Sequence, residues 1–259
     1  MSMDFQLENK VAVVTGASRG IGRAIAQTLA HAGMRLVLVA RSADLLAELA
    51  ASLDTPCATH ACDLRDDAAP DAVIAATIER FGQLDLLVNC AGATKRGDFL
   101  AIADADWHDG FALKFFGAMR LCRAAWPHLQ ACHGSIINIA GIGGRTASAE
   151  FAIGGSVNAA LLNLTKALAD RGVVDGVRVN AINPGAIATE RLQTRIQLLA
   201  TTQAIGQDAA AHAMAAALKV ERFGEPAEIA HAVAWLASPL ASYCQGAILD
   251  VDGGQTRTL

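Results

Sequence analysis

The segment Val11–Gly22, VAVVTGASRGIG, constrains this chain more than any other. Four apolar residues, Val11–Val14, lead through Thr15 to Gly16, and a helical pattern takes over at Ile21. That order is a buried strand, a glycine turn and a helix start. The turn needs residues without a Cβ, and the free N–H groups of a helix start suit a phosphate. Glycines at 16, 20 and 22 say little by themselves. Between a strand and a helix they read as a cradle for the pyrophosphate of a dinucleotide.

The remaining chain repeats the same rhythm. Strands are expected at Arg35–Ala40, Cys57–Cys62, Leu84–Asn89, Ser135–Ala140, Val177–Ile182 and Ala247–Val251. Helices are expected at Arg23–Ala32, Ala43–Leu53, Asp66–Phe81, Asp104–Ala131, Ala152–Arg171 and Ala227–Leu236. Pro127 should kink or end the fifth-strand approach helix, and Gly33 and Gly82 should stop two others. Runs such as RLVLVA are apolar throughout, as parallel strands covered on both faces must be. Seven strands in β-α order imply one α/β domain over residues 1–259, a doubly wound parallel sheet with helices on both faces. Only residues 189–220 break the rhythm. This Ala-rich helical insertion follows the sixth strand and reads as a substrate lid, or else as a surface helix pair.

Composition narrows the function. The 259 residues are 53% hydrophobic with a formal charge of −4, enough for a large core. No basic block suggests a nucleic acid partner. No uninterrupted apolar run of about 18 residues suggests a membrane span, and the start MSMDFQLENK lacks the apolar core of a secretory signal. A cytoplasmic protein is expected. Six scattered cysteines, none in a C-x-x-C pair, read as reduced core thiols. The seven histidines show no metal spacing, so no metal site is expected.

Cofactor choice should be set near the end of the second strand, where a carboxylate commonly reads a free ribose 2′-OH. Here the segment is Val39-Ala40-Arg41-Ser42, with no carboxylate. Arg41, with Arg19 from the glycine turn, suits a 2′-phosphate instead, which favours NADP(H) over NAD(H).

Taken together, TGASRGIG, CDL at Cys62–Leu64, NCAG at Asn89–Gly92, NPG at Asn183–Gly185 with Thr189, and VDGG at Val251–Gly254 resemble the short-chain dehydrogenase/reductase family. The resemblance spans nearly the whole chain. It implies a seven-stranded Rossmann-type sheet, homodimers or homotetramers, and a small-molecule substrate. It also implies that Gly16, Ser18, Arg19, Gly20, Ile21 and Gly22 hold the pyrophosphate side of the cofactor. Asp63 and Leu64 would border the adenine. Asn89, Ala91 and Gly92 would line the cofactor, and Pro184, Gly185, Ile187 and Thr189 would lie along the nicotinamide.

The same resemblance implies hydride transfer assisted by a Tyr, a Lys four residues later, a Ser and an earlier Asn. At those positions this chain carries Gly154, Asn158, Gly141 and Lys114. The intervals, 13 residues from 141 to 154 and 27 from 114 to 141, fit the family without a gap. The single tyrosine, Tyr243, lies just before the last strand. Lys166 is 8 residues beyond Asn158, about 12 Å further along a helix. Two readings follow. One is an NADP(H)-dependent oxidoreductase working by an atypical route on a small carbonyl or alcohol, with Lys114, water or the substrate itself as proton source and Asn158 beside the ribose. The other is a catalytically inactive NADP-binding sensor, scaffold or subunit. Ser148, Glu150 and Ser156 read as cap or surface residues, or else as proton donors, and Arg145, Arg191 and Arg195 as solvated charges or attractors of an anionic substrate.

Overall fold

The computed structural model describes residues 5–257. Residues 1–4, 258 and 259, which belong to the expected domain span, lie outside the described residues, as does the start of the segment read for a secretory signal. The seven strands are β1 Val11–Thr15, β2 Arg35–Ala40, β3 Cys57–Ala61, β4 Leu86–Asn89, β5 Ser135–Ile139, β6 Arg178–Pro184 and β7 Ile248–Val251. They form one parallel sheet in the order β3-β2-β1-β4-β5-β6-β7. This is the doubly wound α/β arrangement. The chain reverses its direction of travel across the sheet between β1 and β4. Ligands of such sheets bind at that switch, beyond the carboxyl ends of the strands.

Strand periodicity explains why the central strands are apolar throughout. Neighbouring residues point to opposite faces. Val14 and Ile137 join one core with Ile25, Leu29, Ile229 and Val233. These last four come from α1 (Gly20–His31) and α9 (Pro226–Ala237). Val13, Leu87 and Ile136 join the opposite core with Val73, Leu121 and Leu129, contributed by α3 (Ala69–Phe81) and α5 (Ala118–Cys132). A polar residue at either Val13 or Val14 would therefore be buried against helices.

Several boundaries differ from expectation. The first helix starts at Gly20, three residues before Arg23, because its opening turn is built from the glycine motif itself. The helix after β3, α3, begins at Ala69, not Asp66, since Asp66 accepts from the Ala68 N–H as a turn residue. Pro127 neither ends nor interrupts α5, which runs on to Cys132. The break in that long helical region lies earlier. It divides into α4 (Asp104–Phe111), one wide π-helical turn (Ala112–Gly117) and α5. The helix α6 extends to Asp175, and β6 runs through to Pro184. Between β6 and α9 stand α7 (Glu190–Gln203) and α8 (Gln207–Leu218). This pair has its own small core of Leu192, Ile196, Ala200 and Ala210. The remaining helix is α2 (Ala43–Ala51). All six cysteines are free, but only Cys122 is fully buried. Among the described residues no helix is long and apolar enough to cross a membrane.

Candidate functional site

The glycine turn is shaped by contact with the end of β4. Gly16 has φ +67°, and a Cβ on it would lie 3.1 Å from Cys90 O and from Ala91 N. A Cβ on Gly22 would stand 2.2 Å from Gly16 O, so only glycine lets α1 begin this close to the strand. Thr15 fastens the two loops together. Its Oγ1 donates to Val88 O at 3.2 Å and accepts from the N–H groups of Cys90 (2.9 Å) and Ala91 (3.0 Å). Beneath, Asn89 Nδ2 donates to Asn138 Oδ1 at 2.9 Å, and Asn138 Nδ2 donates to Thr165 Oγ1 at 2.9 Å. This buried polar chain ties β4, β5 and α6 (Ala152–Asp175) into one register.

Around this crevice the fold gathers the residues singled out in the sequence. Ser18, Arg19, Gly20 and Ile21 form the rim of the cradle. Gly20 faces Thr189, whose Cγ2 would be 3.3 Å from an added Cβ. Arg19 Nη1 is 2.9 Å from Glu190 Oε2, both exposed, so this arginine is already paired. Arg41 is exposed and has no ion-pair partner among the described residues. Past β3, Asp63 is bonded through both carboxylate oxygens to Arg65 Nη1 at 3.1 Å. Arg65 also holds Asp109 of α4, Nε to Oδ1 at 2.6 Å. Burial pushes the Asp63 carboxyl up, but the Arg65 N–H and guanidinium outweigh it, helped by Arg41, and hold it below its ordinary range. Leu64 is buried, and its carbonyl is met by Gly117, where a Cβ would come within 2.9 Å. On the other flank, Gly185 N–H donates to Val251 O at 3.1 Å. Ile187 is buried and bridges to Gly224. Pro184 ends β6.

The four positions read as the seat of chemistry lie together at the ends of β5 and α6. Lys114 projects from the π-helical turn. Its Nζ donates to Ala140 O at 2.5 Å, and its stem lies across Gly92, where a Cβ would be 2.9 Å from its Cδ. Wide turns of this kind redirect side chains at functional sites. Burial lowers the Lys114 pKa to about 8; Cys90 opposes this and Arg191 adds to it. Burial pushes the neighbouring Cys90 thiol up to about 12, so it stays protonated. Gly141 follows β5 with φ +138°, its N–H donating to Asn183 Oδ1 at 3.1 Å. Asn158 is buried beside it, and its Oδ1 has no hydrogen-bond partner among the described residues. Tyr243 is fully exposed, and Lys166 lies against Gly246, so neither enters this group.

Phe151 is the residue that sequence reasoning missed. A Cβ on Gly154 would be 2.0 Å from its Cζ, and one on Gly143 2.9 Å from its Cδ1. The ring thus lies in a slot between two glycines. Above it stands Arg96, its guanidinium carbon 3.9 Å from the ring centroid. The available signal was an aromatic one helical turn before a glycine pair, in a stretch otherwise made of small residues. Arg145, by contrast, is held by Asp250 at 2.6 Å, and Asp250 also accepts from Asn183 Nδ2 at 2.9 Å. Ser148, Glu150 and Ser156 are exposed.

Two features of this cleft fit a dinucleotide. The glycine cradle would be filled by any Cβ at 16 or 22, and the buried Oδ1 of Asn158 is an acceptor without a donor among the described residues. Comparison with known proteins agrees. A family model described as enoyl-(acyl carrier protein) reductase matches residues 16–256. An uncharacterised oxidoreductase of Mycobacterium tuberculosis is 36% identical over 97% of this chain and 94% of its own length. The 3-oxoacyl-acyl-carrier-protein reductase of Vibrio cholerae is 34% identical, covering 96% of this chain and 98% of its own. Among solved structures, the L-sorbose reductase of Gluconobacter frateurii in complex with NADPH and L-sorbose superposes with a TM-score of 0.95. It is 34% identical and covers 99% of this chain and 100% of its own.

Proposed function

Because this chain belongs to the short-chain dehydrogenase/reductase family of oxidoreductases, we propose that it uses NADP(H) to interconvert a small carbonyl compound and its alcohol by a variant of the family's proton chemistry. The observation that carries this reading is Lys114, an amine with a pKa near 8 at the carboxyl end of the sheet. The NADPH-bound sorbose reductase supports the cofactor, and so do Arg41 and the missing carboxylate after β2.

The cradle at Gly16–Gly22 would hold the diphosphate, and Arg41 the 2′-phosphate, with Arg19 shared with Glu190. Asp63 and Leu64 would flank the adenine. Asn89, Ala91, Gly92, Pro184, Gly185, Ile187 and Thr189 would line the remainder. When bound, the dinucleotide supplies or takes the hydride. The chain's own part is the proton. With Gly141, Gly154 and Asn158 where the family's Ser, Tyr and Lys are expected, no hydroxyl remains there to donate it. Lys114, protonated below about pH 8, would give its proton to the developing alkoxide and accept one in the reverse direction. Its bond to Ala140 O fixes the amine, leaving its other N–H groups for the substrate oxygen. Asn158 Oδ1 would accept from a ribose hydroxyl but brings no charge to tune an acid. The α7–α8 pair would close over the cleft as a lid, and the protein would assemble as a homodimer or homotetramer.

A second reading rests on Phe151, whose ring lies against Gly154. It is a cofactor-holding protein without turnover. NADPH consumption across a panel of small ketones and aldehydes, with NADPH and NADH affinities measured by calorimetry, separates the two. Turnover lost in Lys114→Met establishes the first reading. Tight NADPH binding with no turnover across the panel establishes the second.

A further inference from the structure

Of the arginines that the sequence offers to an anion, the fold withdraws one and adds another. Arg145 is committed to Asp250. Arg96, from the loop after β4, stands on the Phe151 ring, which holds its flat guanidinium in place. Arg191 and Arg195 are four residues apart on α7 and so share a face of that helix. Arg191 Nη2 donates to Gly92 O at 2.9 Å, which places it beside the Lys114 stem. Glu190, the acid nearest in sequence, is turned to Arg19.

Arg96 feels the charge of both Arg191 and Arg195. Burial lowers the Arg96 pKa first, then the charge of Arg195; Glu150 opposes them, and Arg191 adds to the lowering. Among the described residues none of Arg96, Arg191 and Arg195 has an ion-pair partner. Glu150 is the one acid that acts on Arg96, and it only partly offsets the two neighbouring arginines; a ligand of opposite sign relieves the remaining repulsion. The planar fork of arginine matches the oxygens of a carboxylate or phosphate. Arg191 is thus beside Lys114 and Arg96 on Phe151, whereas Arg41 follows β2, two strands away across the sheet from β4.

We propose that the substrate carries an oxyanionic group, a carboxylate or a phosphate, received by Arg96, Arg191 and Arg195 while its carbonyl faces Lys114. This deepens, and rests on, the reading of the cleft as a reductase site. The test is calorimetry on the whole protein with NADPH, using two matched pairs: levulinate with its methyl ester, and dihydroxyacetone phosphate with dihydroxyacetone. In at least one pair the anion should bind about tenfold more tightly than its neutral partner. High salt should reduce the preference, and the Arg96→Gln/Arg195→Gln variant should bring it within about threefold. The pair that shows the preference identifies the oxyanion. The single Arg195→Gln variant, whose side chain has no ion pair to lose, serves if the double variant is unstable. Equal affinities within both pairs, or a preference unchanged in the variant, overturn the proposal. The same titrations without NADPH read the arginines alone, so a failure of the cofactor reading stays distinguishable from a failure of this one.

Discussion

Replacing Lys114 by Met tests the proton chemistry most directly, because the expected effects on stability and on rate diverge. Folding lowers the Lys114 pKa from 10.5 to about 8. A change of that size weighs about 3 kcal/mol against the charged form, less what solvent at the mouth screens. Met removes that penalty at neutral pH but also removes the charged hydrogen bond to Ala140 O, worth about 1.5–3 kcal/mol. The two nearly cancel, so the melting temperature of Lys114→Met should stay close to that of the parent. The rate should not. A positioned acid contributes about 10²–10⁴-fold, so kcat for carbonyl reduction should fall by at least about 100-fold with NADPH affinity unchanged. The sign of the pH dependence follows from the depressed pKa. Reduction needs the ammonium and should decline as pH rises through about 8, while alcohol oxidation should rise over the same interval. Stability behaves differently. The folded state sheds its proton before the unfolded state does, so the Lys114 contribution makes the protein more stable as pH climbs from about 8 toward 10.5. Steady-state kinetics from pH 6.5 to about 9.5, with thermal melts of both proteins, provide the measurement. A parent profile that is flat through pH 8, or a kcat in Lys114→Met within a few-fold of the parent, refutes the assignment.

Three further outcomes are expected. Arg41→Ala should weaken NADPH binding about tenfold and leave NADH nearly untouched, read by fluorescence titration; Arg19→Ala should do less, because Arg19 is already engaged by Glu190. Gly154→Tyr by itself should lower the melting temperature and add no activity, since its Cβ would meet the Phe151 ring at 2.0 Å; adding Phe151→Ala should recover stability. Asn158→Leu should be neutral or stabilising without cofactor, because the orphaned Oδ1 is removed, yet should loosen NADPH measurably in a titration.

Part of the cleft was readable from the residues because its determinants are local. A strand, a glycine turn and a helix start are neighbours in sequence, and Gly16 and Gly22 meet within one short loop. Periodicity gave the β-α order for the same reason, and missed where a single residue carried the weight. Pro127 looked like a breaker, but the helix absorbs it, and the true irregularity at Ala112–Gly117 has no proline or obvious marker. The arginines show the limit clearly. Arg145, Arg191 and Arg195 were equal candidates on paper. Their partners, Asp250 for the first and Gly92 O for the second, lie about a hundred residues away along the chain.

The sequence by itself determined a doubly wound sheet and the glycine turn that opens its first helix, because buried strands and tight turns impose rules on adjacent residues. Tertiary structure alone decided that Phe151 occupies the slot over Gly154, that Arg96 stacks on it, and that Lys114 reaches Ala140. Those contacts join segments far apart in the chain, and burial and charge at such junctions depend on what the fold brings beside them.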